Sequence, residues 1–259
     1  MDFAYTVAGF VVGAIVGLTG VGGGSLMTPL LVLMFGIHPS VAVGTDLLYA
    51  ALTKAGGTLA HSLKGTIDWT ITRRLASGSI PSALITLWTV HTYAPGGIEG
   101  ATSVISVALG VALVLTAAAI LLRSKIQAFS RRVMGDTPNP NRVRNLTIIT
   151  GVVLGALVSI SSVGAGALGV TALFFLYPGL PTVRIVGSDI AHAVPLTAVA
   201  GLGHMALGTV DWLLLGSLLI GSLPGIWLGS HVSTRVPDRV LRPILATTLV
   251  LVGAKLITH

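Results

Sequence analysis

Two glycine-broken apolar stretches hold the residue types best suited to chemistry. In the first, Gly20-Val21-Gly22-Gly23-Gly24-Ser25 interrupts a long apolar run. Three consecutive glycines end a helix and free backbone N–H groups. In hydrocarbon such groups are tolerated only where protein or a water-filled cavity satisfies them. A helix is expected to start near Ser25 and to aim its positive end at the break. Ser25 and Thr28 add hydroxyls, and Pro29 is expected in the first turn. The second stretch, Ser161-Ser162-Val163-Gly164-Ala165-Gly166, repeats the pattern, with Ser159 close by. Backbone N–H and hydroxyl donors gathered at a helix N-terminus suit a small anion. Gly22, Gly23, Gly24, Ser25, Thr28, Ser161, Ser162, Gly164 and Gly166 are therefore candidate anion-binding residues. Close packing of helices through small residues is the competing reading.

Lys54 sits inside an apolar segment, and a cation at that depth is expensive and usually functional. It is expected to contact substrate or offset its charge; snorkelling, or pairing with Asp46 two turns away, is the alternative. Asp46 and Asp189 each follow a Thr or Ser where a helix is expected to start, so helix capping is the plain reading of both. Proton coupling through Asp46, Asp189 and the deeper His192 is the sharper one. His61 and His204 precede Gly65-Thr66-x-Asp68-Trp69 and Gly208-Thr209-x-Asp211-Trp212. There Gly is expected to end a helix, Asp to start the next and Trp to sit at a membrane interface. The two histidines are expected to be held by hydrogen bonds.

Other chemistries lack support. No cluster has metal-ligand spacing, no nucleophile–base dyad is evident, and no Gly-Lys-Ser/Thr ending follows the first glycine run. No cofactor and no catalytic residue are expected.

The elements that must position these residues are apolar and long. Of 259 residues, 53% are hydrophobic and 9% charged, whereas soluble domains carry about 25% charged residues. Too few charges exist to cover a water-facing surface. Apolar segments fall at about 3–20, 24–36, 45–63, 70–90, 101–122, 145–160, 166–177, 183–207, 212–230 and 240–257. The net charge of +7 lies mostly in short loops, the pattern of cytoplasmic loops facing anionic lipid rather than of nucleic-acid binding. Lipid and a small anion are the expected partners, nucleic acid is not, and a homodimer is compatible with the sequence. The absence of cysteine excludes disulfides. The N-terminus lacks a basic region and a clear cleavage site, so the first segment is expected to stay in the mature protein.

The chain is internally duplicated. Gly13, Ala14, Val16, Val21, Gly22, Gly24 and Leu26 match Gly155, Ala156, Val158, Val163, Gly164, Gly166 and Leu168. Gly44 and Asp46 match Gly187 and Asp189, and His61, Gly65, Thr66, Asp68 and Trp69 match His204, Gly208, Thr209, Asp211 and Trp212. Gly78, Ser79 and Pro81 match Gly221, Ser222 and Pro224, with a register slip of only one residue. Tyr49 stands opposite His192 and Thr197 opposite Lys54, so the lysine is no part of the duplicated scaffold. Such duplication is common in secondary transporters. The expected organisation is a first transmembrane repeat over 1–122, a basic cytoplasmic linker over 123–144 and a second transmembrane repeat over 145–259.

Charge then sets orientation. If each glycine-broken stretch leaves on the side where it entered, Lys64, Arg73, Arg74, the linker charges, Arg184, Arg235, Arg239 and Arg242 all lie inside. Each half then contains three full crossings, and the halves are inverted. The fold expected is an all-α integral membrane protein of two inverted repeats, each a broken or re-entrant helical hairpin plus three transmembrane helices. Loop charge does not separate a re-entrant hairpin from one of full depth.

The run G-L-T-G-V-G-G-G-S-L-M-T-P-L-L, followed by H-P-x-x-A-V-G-T-D and echoed in the second half, resembles the TauE/SafE family of sulfite and sulfonate exporters. The resemblance covers nearly the whole chain. The second-half version departs from the pattern, with Thr171 standing where Pro29 stands in the first. The resemblance implies an inner-membrane transporter for small sulfur-containing or organic anions, and the leading expectation is a secondary transporter that exports its anion by alternating access. An anion channel, or an uptake permease for a small carboxylate or sulfonate, is the alternative. A membrane-embedded enzyme would need a catalytic constellation that the sequence lacks, and a cation transporter would need more intramembrane carboxylates.

Overall fold

The structure, a computed structural model, describes residues 3–19, 24–94, 97–134, 139–232 and 238–258. These form α1 (Phe3–Thr19), α2 (Gly24–Phe35), α3 (Pro39–Leu63), α4 (Trp69–Tyr93), the single turn α5 (Gly97–Gly100), α6 (Thr102–Met134), α7 (Pro140–Ser161), α8 (Ala167–Leu176), α9 (Thr182–Ala206), α10 (Trp212–Val232) and α11 (Asp238–Thr258). No strand occurs among the described residues. Each of the ten apolar segments becomes a helix, and α5 is added between α4 and α6.

The faces are inverted relative to a water-soluble bundle. Leu84, Ile85 and Trp88 on α4, Val107 and Leu115 on α6, Ile149 and Val153 on α7, and Leu223 and Trp227 on α10 point outward, exposed. Asp46, Lys54, Asp189, His192 and a series of Ser and Thr hydroxyls are buried. Apolar outside and polar inside is the arrangement that hydrocarbon solvent favours. Among the described residues four helices, within α6, α7, α9 and α10, are long and apolar enough to cross a membrane. α3 and α4 have 25 residues each, about 38 Å at 1.5 Å per residue. α8, with 10 residues, reaches only about 15 Å and falls short of the ~30 Å hydrocarbon core.

Packing exchanges the halves. α1 packs on α10 and α4 on α7, while α3 packs on α9 and α6 on α11. A Cβ at Gly155 of α7 would overlap the Ser79 carbonyl of α4. One at Gly13 of α1 would overlap the Ser222 carbonyl of α10, the repeat counterpart. Gly151 meets Leu75 as Gly155 meets Ser79, so α4 and α7 run in the same direction. Arg142 and Arg144 therefore start α7 at the end of the bundle where Arg73 and Arg74 start α4.

The α7–α8 hairpin closes on one side. The Ser130 hydroxyl near the end of α6 donates to the Phe175 carbonyl at 2.5 Å, and the Thr147 and Tyr177 hydroxyls are 2.8 Å apart. The end of α8 thus returns beside the beginning of α7. Residues 123–134 of the basic stretch continue α6, and Pro140 onward opens α7 with Asn139 as cap. Arg123 lies over the Phe174 ring at 4.2 Å, tying that extension to α8.

Two sequence expectations are corrected. Asp46 and Asp189 do not cap helices, because α3 begins at Pro39 and α9 at Thr182, about two turns earlier. Gly44 and Gly187 also lie inside the helices. There the Thr209 carbonyl and His204 ring pack on Gly44, and the Thr66 carbonyl and His61 ring on Gly187. Pro29 is likewise interior to α2, which already begins at Gly24.

Candidate anion site and its buried charges

The duplicated His-Gly-Thr-x-Asp-Trp turns fix the helices that carry the site. Gly65 and Gly208 adopt φ of 62° and 75°, the left-handed conformation that ends α3 and α9. The Asp68 carboxylate accepts from the Thr70 and Ile71 N–H groups at 3.0 and 3.3 Å. Asp211 accepts from Leu213 and Leu214 at 2.9 Å each. Each such cap is worth about 1 kcal/mol. His61 Nδ1 bonds the Thr66 hydroxyl and His204 Nδ1 the Thr209 hydroxyl, both at 2.8 Å. The buried His204 also bonds the Ser159 carbonyl at 2.9 Å, which anchors the helix leading into the second break. The turns then lock across the halves: Asp68 N–H donates to the Ser188 hydroxyl at 2.8 Å and Asp211 N–H to the Thr45 hydroxyl at 3.1 Å. On the Asp68 side alone, Arg184 adds an ion pair at 3.4 Å.

Between these locks lies the second glycine break. Ser162 ends α7 in the left-handed conformation at φ 58° and donates its N–H to the Val158 carbonyl at 2.8 Å. Gly164 and Gly166 follow at φ 120° and 136°, a conformation side chains rarely adopt. α8 starts at Ala167; the Gly169 and Val170 N–H groups donate back to the Gly164 and Gly166 carbonyls at 3.2 and 2.8 Å, which leaves those of Ala167 and Leu168 without a carbonyl within the helix. Between the two glycines, the Ala165 carbonyl accepts from the Lys54 ammonium at 2.8 Å. The lysine of the first half thus reaches the break of the second.

Lys54 is not paired directly with either carboxylate. Asp189 and Asp46 both act on it electrostatically, Asp189 the more strongly. The Asp46 Oδ2 accepts from the Thr28 hydroxyl of α2 at 2.5 Å. The Ser162 hydroxyl faces the same carboxylate without closing a hydrogen bond, and Asp46 Oδ1 has no partner. Asp189, fully buried, has no partner for either oxygen. It packs on α8 at Gly169, where a Cβ would collide with Oδ1. Ser79 Oγ and His192 Nε2 are hydrogen-bonded at 2.8 Å, leaving His192 Nδ1 unpartnered. In the other half Tyr49 faces Ser222 in the corresponding place, its hydroxyl without a partner.

The structure thus gathers Thr28, Asp46, Lys54, Ser162, Gly164 and Gly166 around one break, with Asp189 and His192 beside them. Ser161 is turned away: its hydroxyl donates to the Leu157 carbonyl at 2.6 Å and accepts from the Val163 N–H at 3.2 Å. Gly22 and Gly23 lie outside the described residues. Gly24 and Ser25 open α2, and the Ser25 side chain is not among those described. Ser79 and Ser222 escaped the reading of sites although the repeat match marked them, because a Gly-Ser-x-Pro run inside a helix reads as packing. Among the described residues no group of three or more potential metal ligands occurs.

Comparison with known proteins agrees with this architecture. The family model for the sulfite exporter TauE/SafE matches residues 5–256. A probable membrane transporter protein of Bacillus subtilis, YjnA, is 40% identical over 99% of this chain and 100% of its own length. Another from the same organism, YunE, is 26% identical over 97% of this chain and 95% of its own. The probable membrane transporter protein MJ0441 of Methanocaldococcus jannaschii is 25% identical over 95% and 92%. No solved structure matches. The apolar exterior and polar interior are thus those of a multi-pass membrane protein, and the chain belongs to the TauE/SafE family.

Proposed function

We propose that this chain is a secondary transporter that moves a small sulfur-containing or organic anion, sulfite- or sulfonate-like, across the inner (plasma) membrane by alternating access. One observation carries the reading: a buried ammonium, Lys54, held at the helix break where Gly164, Gly166 and the unpartnered Ser162 hydroxyl meet the start of α8. A small oxyanion fits that chemistry. It takes the ammonium as counter-charge, Ser162 as O–H donor and the first-turn N–H groups of α8 as a dipole end. In sequence, Gly22, Gly23, Gly24 and Ser25 are the counterpart candidates in the first half. Membrane transporter relatives and the exporter family support transport over catalysis. A potential negative inside favours efflux of an anion that moves alone by about 2.3 kcal/mol per charge per 100 mV.

Alternating access rests on two inverted repeats, 1–122 and 145–259, flanking the basic segment 123–144. The exchanged packing of α1 with α10 and α4 with α7, and the reciprocal Asp68–Ser188 and Asp211–Thr45 bonds, support this arrangement. So does the return of α8 to the side where α7 begins, as a re-entrant hairpin requires. The test is binding and counterflow with purified protein in liposomes, against sulfite, methanesulfonate, sulfoacetate, taurine and acetate. Saturable flux with counterflow of one of these anions establishes the carrier. Flux without saturation establishes a channel, and binding of none removes the anion reading.

A further inference from the structure

The buried charges do not balance. Two carboxylates, Asp46 and Asp189, act on one ammonium, and an anion drawn to Lys54 would add a third negative charge. In a low-dielectric interior an uncompensated charge costs several kcal/mol. The two carboxylates are not equivalent. Asp46 already accepts from Thr28 and faces Ser162. Asp189 has both oxygens unpartnered at zero exposure, so only Lys54 stabilises its charge. We infer that Asp189 is a proton-binding site coupled to anion binding through Lys54: when the anion takes the lysine as its counter-ion, Asp189 takes up one proton.

This inference rests on the proposed anion site and names its coupling ion. The fit is to a proton rather than a metal cation. Gly169 packs so closely on Asp189 that a Cβ would strike its oxygen. Among the described residues no third ligand joins Asp189 and His192. Charged and titratable neighbours come from few elements. α3 supplies Lys54 and Asp46, and α9 itself supplies His192, already bonded to Ser79 of α4. His204 and the Asp68–Arg184 pair lie toward the two ends of α9. α8 carries no titratable residue, and the adjoining break, Ser161–Gly166, carries none either. The step is balanced: one anion and one proton enter the site together, and the site charge is unchanged.

Methanesulfonate is a suitable probe because it does not titrate near neutral pH. Its affinity for the purified full chain is measured by calorimetry across pH 5–8, beside wild type, with Asp189→Asn and Asp46→Asn. Uptake of one proton per anion makes wild-type binding tighten by about tenfold per pH unit as pH falls, until Asp189 is protonated in the empty site and the affinity levels off. Asp189→Asn mimics the protonated acid, so its affinity is expected to be independent of pH and equal to that of wild type at low pH. Asp46→Asn is expected to keep the slope. The carboxylic C=O stretch of infrared difference spectra gives a second readout, since only a protonated acid shows it. It should appear on methanesulfonate binding in wild type and Asp46→Asn, and be missing in Asp189→Asn. Binding with no pH slope, or a slope surviving in Asp189→Asn, overturns the proton site and leaves the anion site standing. A slope lost only in Asp46→Asn assigns the proton to the other carboxylate and overturns the inference. Absence of binding to wild type at every pH, for this and the other anions of the panel, removes both.

Discussion

The Lys54 ammonium and the Ala165 carbonyl, 111 positions apart, meet at 2.8 Å. This bond joins a residue unique to the first repeat to a carbonyl held between two left-handed glycines of the second. Thr197, which occupies the place of Lys54 in the duplicated half, spends its hydroxyl on the Ala193 carbonyl of its own helix. At this position the two duplicated sequences therefore differ: a lysine that reaches across to the second half stands against a threonine that bonds its own helix.

Lys54→Met is expected to abolish binding of the transported anion and to lower stability, by about 3 kcal/mol, because it leaves two buried carboxylates without a cation. The double variant Lys54→Met/Asp189→Asn separates these effects. It should recover most of the thermal stability, since the charge removed matches the charge lost, and still fail to bind the anion. Recovery of both properties in the double variant would reduce Lys54 to a counter-ion for Asp189.

Much of this arrangement was legible before the helices were seen. The repeat alignment placed His61 against His204 and Asp68 against Asp211, and these turns are built alike. The glycines of Ser161–Gly166 signalled a break, and the break is there. The carboxylates were misplaced for a physical reason. Thr-Asp and Ser-Asp after glycine have the local chemistry of a helix start. Yet Gly44 and Gly187 sit inside helices because another chain segment fills the space a Cβ would take. That is a tertiary fact, invisible to local pattern. The competition for Lys54 was hidden too, because Asp189 is remote in sequence and nothing local links the two.

Sidedness is testable with single cysteines, which the chain lacks in its natural form. Ser124→Cys and Arg132→Cys, on the exposed basic extension of α6, should react only with a reagent supplied to the cytoplasm. Thr92→Cys and Ala206→Cys, at the exposed ends of α4 and α9, should react only from outside. Labelling of Thr92→Cys from the cytoplasm would contradict the inverted arrangement, because α4 would then return both ends to one face.

The exchanged hydrogen bonds predict matched costs. Ser188→Ala strips a partner from the Asp68 N–H, and Thr45→Val strips one from the Asp211 N–H. Each leaves a partly buried donor unsatisfied and should cost about 1–2 kcal/mol in unfolding measurements. The two sites sit at opposite ends of the packed α3–α9 pair, so the double variant should cost the sum. A large effect from one and none from the other would mean that the two turns, alike in sequence, do unequal work.

Ser162→Gly offers the cleanest separation of fold from function, because the two predict opposite signs. Ser162 is a non-glycine residue at φ 58°, a conformation costing an L-residue about 1–2 kcal/mol that glycine does not incur. Its hydroxyl closes no hydrogen bond and only faces the Asp46 carboxylate, so removing it forfeits little in the empty site. A purely structural residue should therefore yield a variant as stable as wild type or more so, by up to about 1 kcal/mol after the glycine's own entropy cost. A donor to the anion should also weaken anion binding, by about tenfold, the worth of a hydrogen bond to a charged group at the lower end of its range. Thermal unfolding and binding titrations on one preparation read both signs. Higher stability with unchanged affinity would take Ser162 out of the anion site and leave Lys54 and the α8 N-terminus to hold the ligand alone.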